Sequence, residues 1–102
     1  VQDATKLATQ SPYKILKACA EIMPLAKDAI EKGNPNSISD AGVAAEMAHS
    51  GAQGAAMNVL INLKDIDDKQ YCDQMKNEIQ NVLLSIHEQL QKIRNIAISK
   101  LV

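Results

Sequence analysis

The side chains in this sequence best suited to chemistry are a carboxylate, Asp40, and two carboxamides, Asn58 and Asn62. Asp40 follows Ser39 where a helix is expected to begin. A carboxylate there caps backbone N–H groups and complements the helix dipole, and carboxylates also serve in proton transfer. Asn58 and Asn62 are one helical turn apart and face the same way, with Asp65 next on that stripe. Asparagine is a poor helix former in an interior, so two at this spacing need partners. Those partners lie either across a helix interface or on a ligand that reads amide donors and acceptors. Asp40 and Asn58 are 18 residues apart, roughly 27 Å along one helix. They cannot form a single catalytic cluster within one chain. They suit opposite ends of an extended ligand, or meet only across a dimer.

The other reactive side chains read more plainly. Cys19 and Cys72 fall on apolar stripes, as buried thiols do, and their spacing fits neither a disulfide framework nor paired zinc ligands. His49 lies in an Ala/Gly-rich stretch and His87 near an apolar seam, where surface or interface roles are expected. Asp65, Asp67 and Asp68 lack the spacing and glycine of a calcium loop, so capping is expected and metal binding is not.

The elements that carry these residues show helical period nearly throughout. Residues 1–9 read as the end of a helix that began upstream, and Ser11-Pro12 as an N-cap followed by proline at the first helical position. Tyr13, Leu16, Cys19 or Ala20, Met23, Ala26 and Ile30 then recur at steps of three and four, with Pro24 expected to kink the run. Lys32-Gly33-Asn34-Pro35 ends it. A second helix is expected from residues 37–40 to about residue 64. Its Gly51 and Gly54 each cost about 1 kcal/mol against alanine, so a neighbouring helix or a ligand should exploit the close approach they permit. Asp67 to Gln70 reads as a capping box. The last helix carries Cys72, Met75, Ile79, Val82, Ile86, Leu90, Ile93 and Ala97 on one stripe. A helix of ~30 residues is about 45 Å long. Two shorter helices of the same chain are not expected to cover it.

Composition sets the class. The 102 residues allow one domain, and with no Phe or Trp the core must be aliphatic. A net charge of −1, from 11 basic and 12 acidic residues, gathers neither nucleic acid nor an anionic membrane. No apolar run approaches the ~20 residues needed to cross a bilayer, and the opening VQDATKLATQ has no signal pattern; a cytoplasmic location is expected. The chain has no initiator Met and opens in mid-helix register, as if inside a larger protein. The fold class expected is all-α: an up-and-down bundle of long helices, completed by a missing N-terminal half or a second subunit.

The run GNPNSISDAGVAAEMAHSGAQGAAMNVLINLKDIDD, residues 33–68, resembles the formiminotransferase-cyclodeaminase C-terminal domain and its stand-alone bacterial relatives. The matching elements are Gly33-Asn34, Ser39-Asp40, the Ala/Gly-rich helix through Gly54-Ala55, and Asn58-Val59-x-Ile61-Asn62-Leu63. The Pro24 helix and the long last helix also fit that layout. The resemblance implies that residues 1–102 are the C-terminal half of one cyclodeaminase-like domain. It implies a tetrahydrofolate derivative as substrate, no metal and no further cofactor, and a homo-oligomer. Ser39, Asp40, Asn58 and Asn62 become candidate substrate-binding residues, with Asp40 the candidate for catalysis. The reaction is then either ammonia-releasing cyclisation of 5-formiminotetrahydrofolate or hydrolysis of the 5,10-methenyl form. The family's domain is about twice this length, and its Gly-rich motif and favoured acidic residue belong to the half not present here. A catalytically inert helical dimerisation module is the alternative.

Overall fold

A computed structural model describes residues 2–102, with side chains from Asp3 onward. Three α-helices follow one another, α1 Gln2–Lys32, α2 Pro35–Leu63 and α3 Lys69–Leu101, and no strand occurs among the described residues. They form an up-down-up bundle, a rod of 52 × 17 × 16 Å. The all-α expectation holds.

The expected break at Ser11-Pro12 is absent: α1 runs unbroken through Pro12 and through Pro24. (Val1, the first residue of the segment assigned to an upstream helix, lies outside the described residues.) Proline at position 12 has no N–H for the carbonyl four residues earlier, that of Ala8. That carbonyl instead accepts from the Asn62 side-chain amide of α2, at 3.5 Å. The bond is long, but it gives the orphaned acceptor a donor.

The caps also differ from expectation. Asn34, not a residue in the Ser37–Asp40 stretch, caps α2: its Oδ1 accepts from Ser37 N at 3.1 Å, and Pro35 occupies the first turn with its φ already helical. Gly33 sits in a tight joint, since a Cβ there would lie 2.7 Å from the Ala29 carbonyl oxygen and 2.9 Å from Ser37 Cβ. Asp68, not Asp67, caps α3 by accepting from Tyr71 N at 3.0 Å.

The α3 stripe is buried as expected, with Ile79, Ile86, Leu90 and Ile93 at most 2% exposed. The expectation that this rod lacks cover within its own chain is corrected. Because α1 does not break, the helices are 31, 29 and 33 residues long, and they cover one another nearly end to end. The face of α2 in the core is Ile38, Ala41, Ala45, Ala48, Ala52, Ala55, Ala56, Val59 and Leu63. Volume comes from its neighbours, including Leu16, Met23 and Ile30 of α1.

Polar contacts pin the ends. Buried Thr9 donates from Oγ1 to the Lys6 carbonyl at 2.6 Å, so the Tyr71 hydroxyl must donate to Thr9 Oγ1 at 2.8 Å; it accepts from Gln10 Nε2 at 3.2 Å. Lys6 pairs with Asp68 at 2.9 Å. Beyond the other end of α1, Lys100 Nζ donates to the carbonyls of Ile30 and Glu31 at 3.0 and 2.6 Å, placing a cation where the helix dipole favours one.

The Pro12–Asn62 relation has a direct check by double-mutant cycle. Asn62→Ala should cost about 0.5–1 kcal/mol in the native background and close to nothing once Pro12→Ala restores the helical donor. Pro12→Ala alone should stabilise by about 1–3 kcal/mol. Equal costs of Asn62→Ala in both backgrounds, read from urea midpoints, would dissociate the two residues.

Candidate functional site

Ser39 and Asp40 lie in the second turn of α2 and are exposed; the first turn contains no acidic residue, so Asp40 is not the cap it was expected to be. Asn58 is exposed and Asn62 half-buried. The 18 residues from Asp40 to Asn58 are five full turns at 3.6 residues each. Both side chains therefore leave the rod in the same direction, roughly 27 Å apart. The structure brings them to one face and not to one cluster. Asn62 is turned toward α1, where it meets the Ala8 carbonyl.

Between Asp40 and Asn58 the same face carries Ala44, Met47, Gly51 and Gly54, all exposed. The two glycines differ. A Cβ on Gly51 would come within 3.2 Å of Cys19 Sγ, so its missing side chain admits half-buried Cys19 of α1. A Cβ on Gly54 would meet nothing within 4 Å. Close packing, expected of both, accounts for Gly51 alone. Cys72 is buried as expected, with its thiol against the carbonyls of Leu63 and Ile66 at 3.5 and 3.6 Å.

A second feature lies between α2 and α3, where an apolar groove of about 500 Å³ is lined by Ile38, Ser39, Val43, Met47, Ile98 and Leu101 among others. Its polar edge is a two-point ion pair, with Arg94 Nε and Nη2 donating to Glu46 Oε2 and Oε1 at 2.6 and 2.7 Å. One turn further along α2, the rings of His49 and His87 face each other with centroids 6.1 Å apart and planes tilted by 45°. Sequence reasoning missed both pairs. The signal was there: Glu46 and His49 share a face of α2 at spacing i, i+3, and His87 and Arg94 share a face of α3 two turns apart. An antiparallel α2–α3 hairpin sets the earlier residue of one helix against the later residue of the other. Among the described residues, no group of three or more His, Cys, Asp or Glu side chains is placed to hold a metal.

Hydrogen bonds from Arg94 hold the Glu46 carboxyl below the usual carboxylate range; partial burial opposes them, and the charges of Arg94 and His49 add to the lowering. A lowered pKa means the pair stabilises the fold above the ordinary glutamate value and loses that effect as pH falls through the depressed one. Glu46→Gln should therefore melt about 1–4 °C below the native chain at neutral pH. The gap should close as pH falls below the ordinary glutamate value of 4.5. Parallel melting curves across that range would show that the pair contributes nothing.

Comparison with known proteins bears on this arrangement. The formiminotransferase-cyclodeaminase family model matches residues 1–81. A methenyltetrahydrofolate cyclohydrolase of Methylorubrum extorquens is 41% identical over 83 residues, which is 81% of this chain and 40% of that protein. The formimidoyltransferase-cyclodeaminase of Rattus norvegicus is 31% identical over 83 residues, 81% of this chain and 15% of its own length. That of Dictyostelium discoideum is 34% identical over 97 residues, 94% of this chain and 18% of its own length. The chain thus spans 40% or less of the length of each of these relatives. The match runs through α1, through the whole of α2 with its candidate residues, and into α3: the chain belongs to the formiminotransferase-cyclodeaminase family.

Proposed function

We propose that this chain supplies half of a helical domain that works on the one-carbon bridge of a tetrahydrofolate derivative, hydrolysing the 5,10-methenyl form to 10-formyltetrahydrofolate. The observation that carries this reading is the 41% identity, across 81% of the chain, to a protein named methenyltetrahydrofolate cyclohydrolase. In that reaction the oxygen of water bonds to the bridge carbon and becomes the formyl oxygen, the bond from that carbon to N5 breaks with its electron pair left on N5, and of water's two protons one ends on N5 and the other is released. The second reading is cyclisation of 5-formiminotetrahydrofolate: N10 attacks the formimino carbon and the formimino nitrogen leaves, protonated, as ammonia. Its support is the 34% identity to a formimidoyltransferase-cyclodeaminase over 97 residues, which extends further along α3.

Either reaction needs a proton carrier and a positioning group within hydrogen-bond reach of one carbon. Asp40 and Asn58 stand too far apart for that, so they serve different parts of an extended substrate, or act with groups outside this chain. Between them, a Cβ added at Gly54 would meet nothing within 4 Å among the described residues. A ring system or a packed helix fits there. Leu7, Ile15, Ile22 and Leu25 of α1, from 38% to 71% exposed, offer a second surface at helical spacing. The rest of the domain, or another subunit of a homo-oligomer, packs on these faces.

The test follows methenyltetrahydrofolate absorbance with this chain alone, then with the complementary N-terminal part of the domain added. We expect no turnover in the first sample and turnover in the second. In the completed domain, Asn58→Ala should slow the reaction at least about tenfold, the worth of one substrate hydrogen bond. Ammonia release from 5-formiminotetrahydrofolate, without hydrolysis of the methenyl form, would select the second reading. No turnover of either substrate by the completed domain would leave an inert helical dimerisation module.

A further inference from the structure

The facing histidines of α2 and α3 have no part in the reading above, and they present chemistry of their own. We propose that His49 and His87 form a two-point site for a divalent first-row transition-metal ion, which clasps α2 to α3. The proposal stands on the geometry of this pair and is independent of the folate reading.

The distance fits. A metal bonded at ~2.1 Å to one nitrogen of each of two imidazoles sets the ring centres roughly 4.5–6.5 Å apart, depending on the angle at the metal. His49 and His87 are at 6.1 Å, with planes tilted and not stacked, so small side-chain rotations bring one nitrogen of each ring to a shared ion. Each ring hangs from the middle of a long helix, where the backbone holds its place. His87 is exposed and His49 half-buried, so an ion can reach both.

The surroundings suit a cation. The charge of His49 reaches the Glu46 carboxyl, one turn away on α2. The same carboxylate holds Arg94 through two hydrogen bonds, which offsets the guanidinium charge. Since no third His, Cys, Asp or Glu converges among the described residues, water fills the other coordination positions. Two imidazoles select copper, nickel or zinc over magnesium and calcium, which require oxygen ligands. Because the two ligands lie on different helices, the folded chain binds the ion far better than the unfolded one, and the ion stabilises the fold.

The experiment titrates NiCl2 into this chain carrying Cys19→Ser, which removes the more accessible thiol, by calorimetry and by thermal melting. We expect one Ni2+ per chain and a rise of several degrees in melting temperature at saturation, with no rise from MgCl2. His87→Gln and His49→Gln should each weaken Ni2+ binding at least about tenfold and abolish the rise. His87 is exposed and His49 half-buried, and a metal-free melt matching that of the parent shows that folding is intact in each variant. The proposal is overturned by unchanged Ni2+ affinity in either histidine variant. It is equally overturned if binding appears only when Cys19 is restored, or if Ni2+ leaves the melting temperature unmoved.

Discussion

Alanine packing along α2 is the constraint on which the rest of this bundle depends. Ala41, Ala45, Ala48, Ala52 and Ala55 follow at steps of four, three, four and three, and each is at most 8% exposed. An alanine removes little apolar surface from water on its own. What it contributes is room: with one methyl per position, the backbone of α2 approaches its neighbours, and the long side chains of α1 and α3 reach across the seam. Leu16, Met23 and Ile30 from one side and Ile86, Leu90 and Ile93 from the other are all at most 1% exposed. The α1–α2 pairing is the tightest of the three. A rod only 17 × 16 Å in section leaves no alternative layer to absorb bulk in the middle helix.

The same economy of side chains sets up the outer face of α2. Gly51 admits Cys19 and continues the close α1–α2 contact, while a Cβ at Gly54 would meet nothing within 4 Å among the described residues. Helical propensity is spent there, about 1 kcal/mol against alanine, on a surface that faces outward between Asp40 and Asn58. The polar contacts complement it. Lys6, Thr9 and Tyr71 fix one end of the bundle and Lys100 the other, so the central stretch of α2 is held without large side chains of its own.

Much of this was legible in the sequence. The aliphatic composition and the three-to-four spacing from Tyr13 onward gave the helical class, Gly33 gave the first joint, and the stripe from Cys72 to Ala97 gave the buried face of α3. The run from Gly33 to Asp68 gave the family. What was not legible depended on partners far away in the chain. Pro12 reads locally as a helix start, yet the helix passes through it, and the carbonyl it leaves without an N–H meets Asn62, 50 residues later. That one misreading made the last helix look too long for its neighbours. Asn34 and Pro35 each suit a helix end as well as a helix start, and competition among several capping side chains decided the boundary by a few residues. The Glu46–Arg94 and His49–His87 pairs required the register of the α2–α3 hairpin, which periodicity along a single helix does not contain. Of the candidate residues, Asp40 and Asn58 were rightly held apart, and Asn62 found the interface partner that was one of its two readings.

The claim that alanine packing governs the bundle is tested most directly by urea unfolding of Ala52→Leu. Ala52 is 0% exposed in the middle of the seam, and leucine is the better-matched residue for a core with spare room. The result expected is a lower urea midpoint at an unchanged slope, a loss of about 1–3 kcal/mol from overpacking. A midpoint that stays level or rises would show that the helices stand far enough apart to accept the larger side chain, and would contradict the account of close approach through α2.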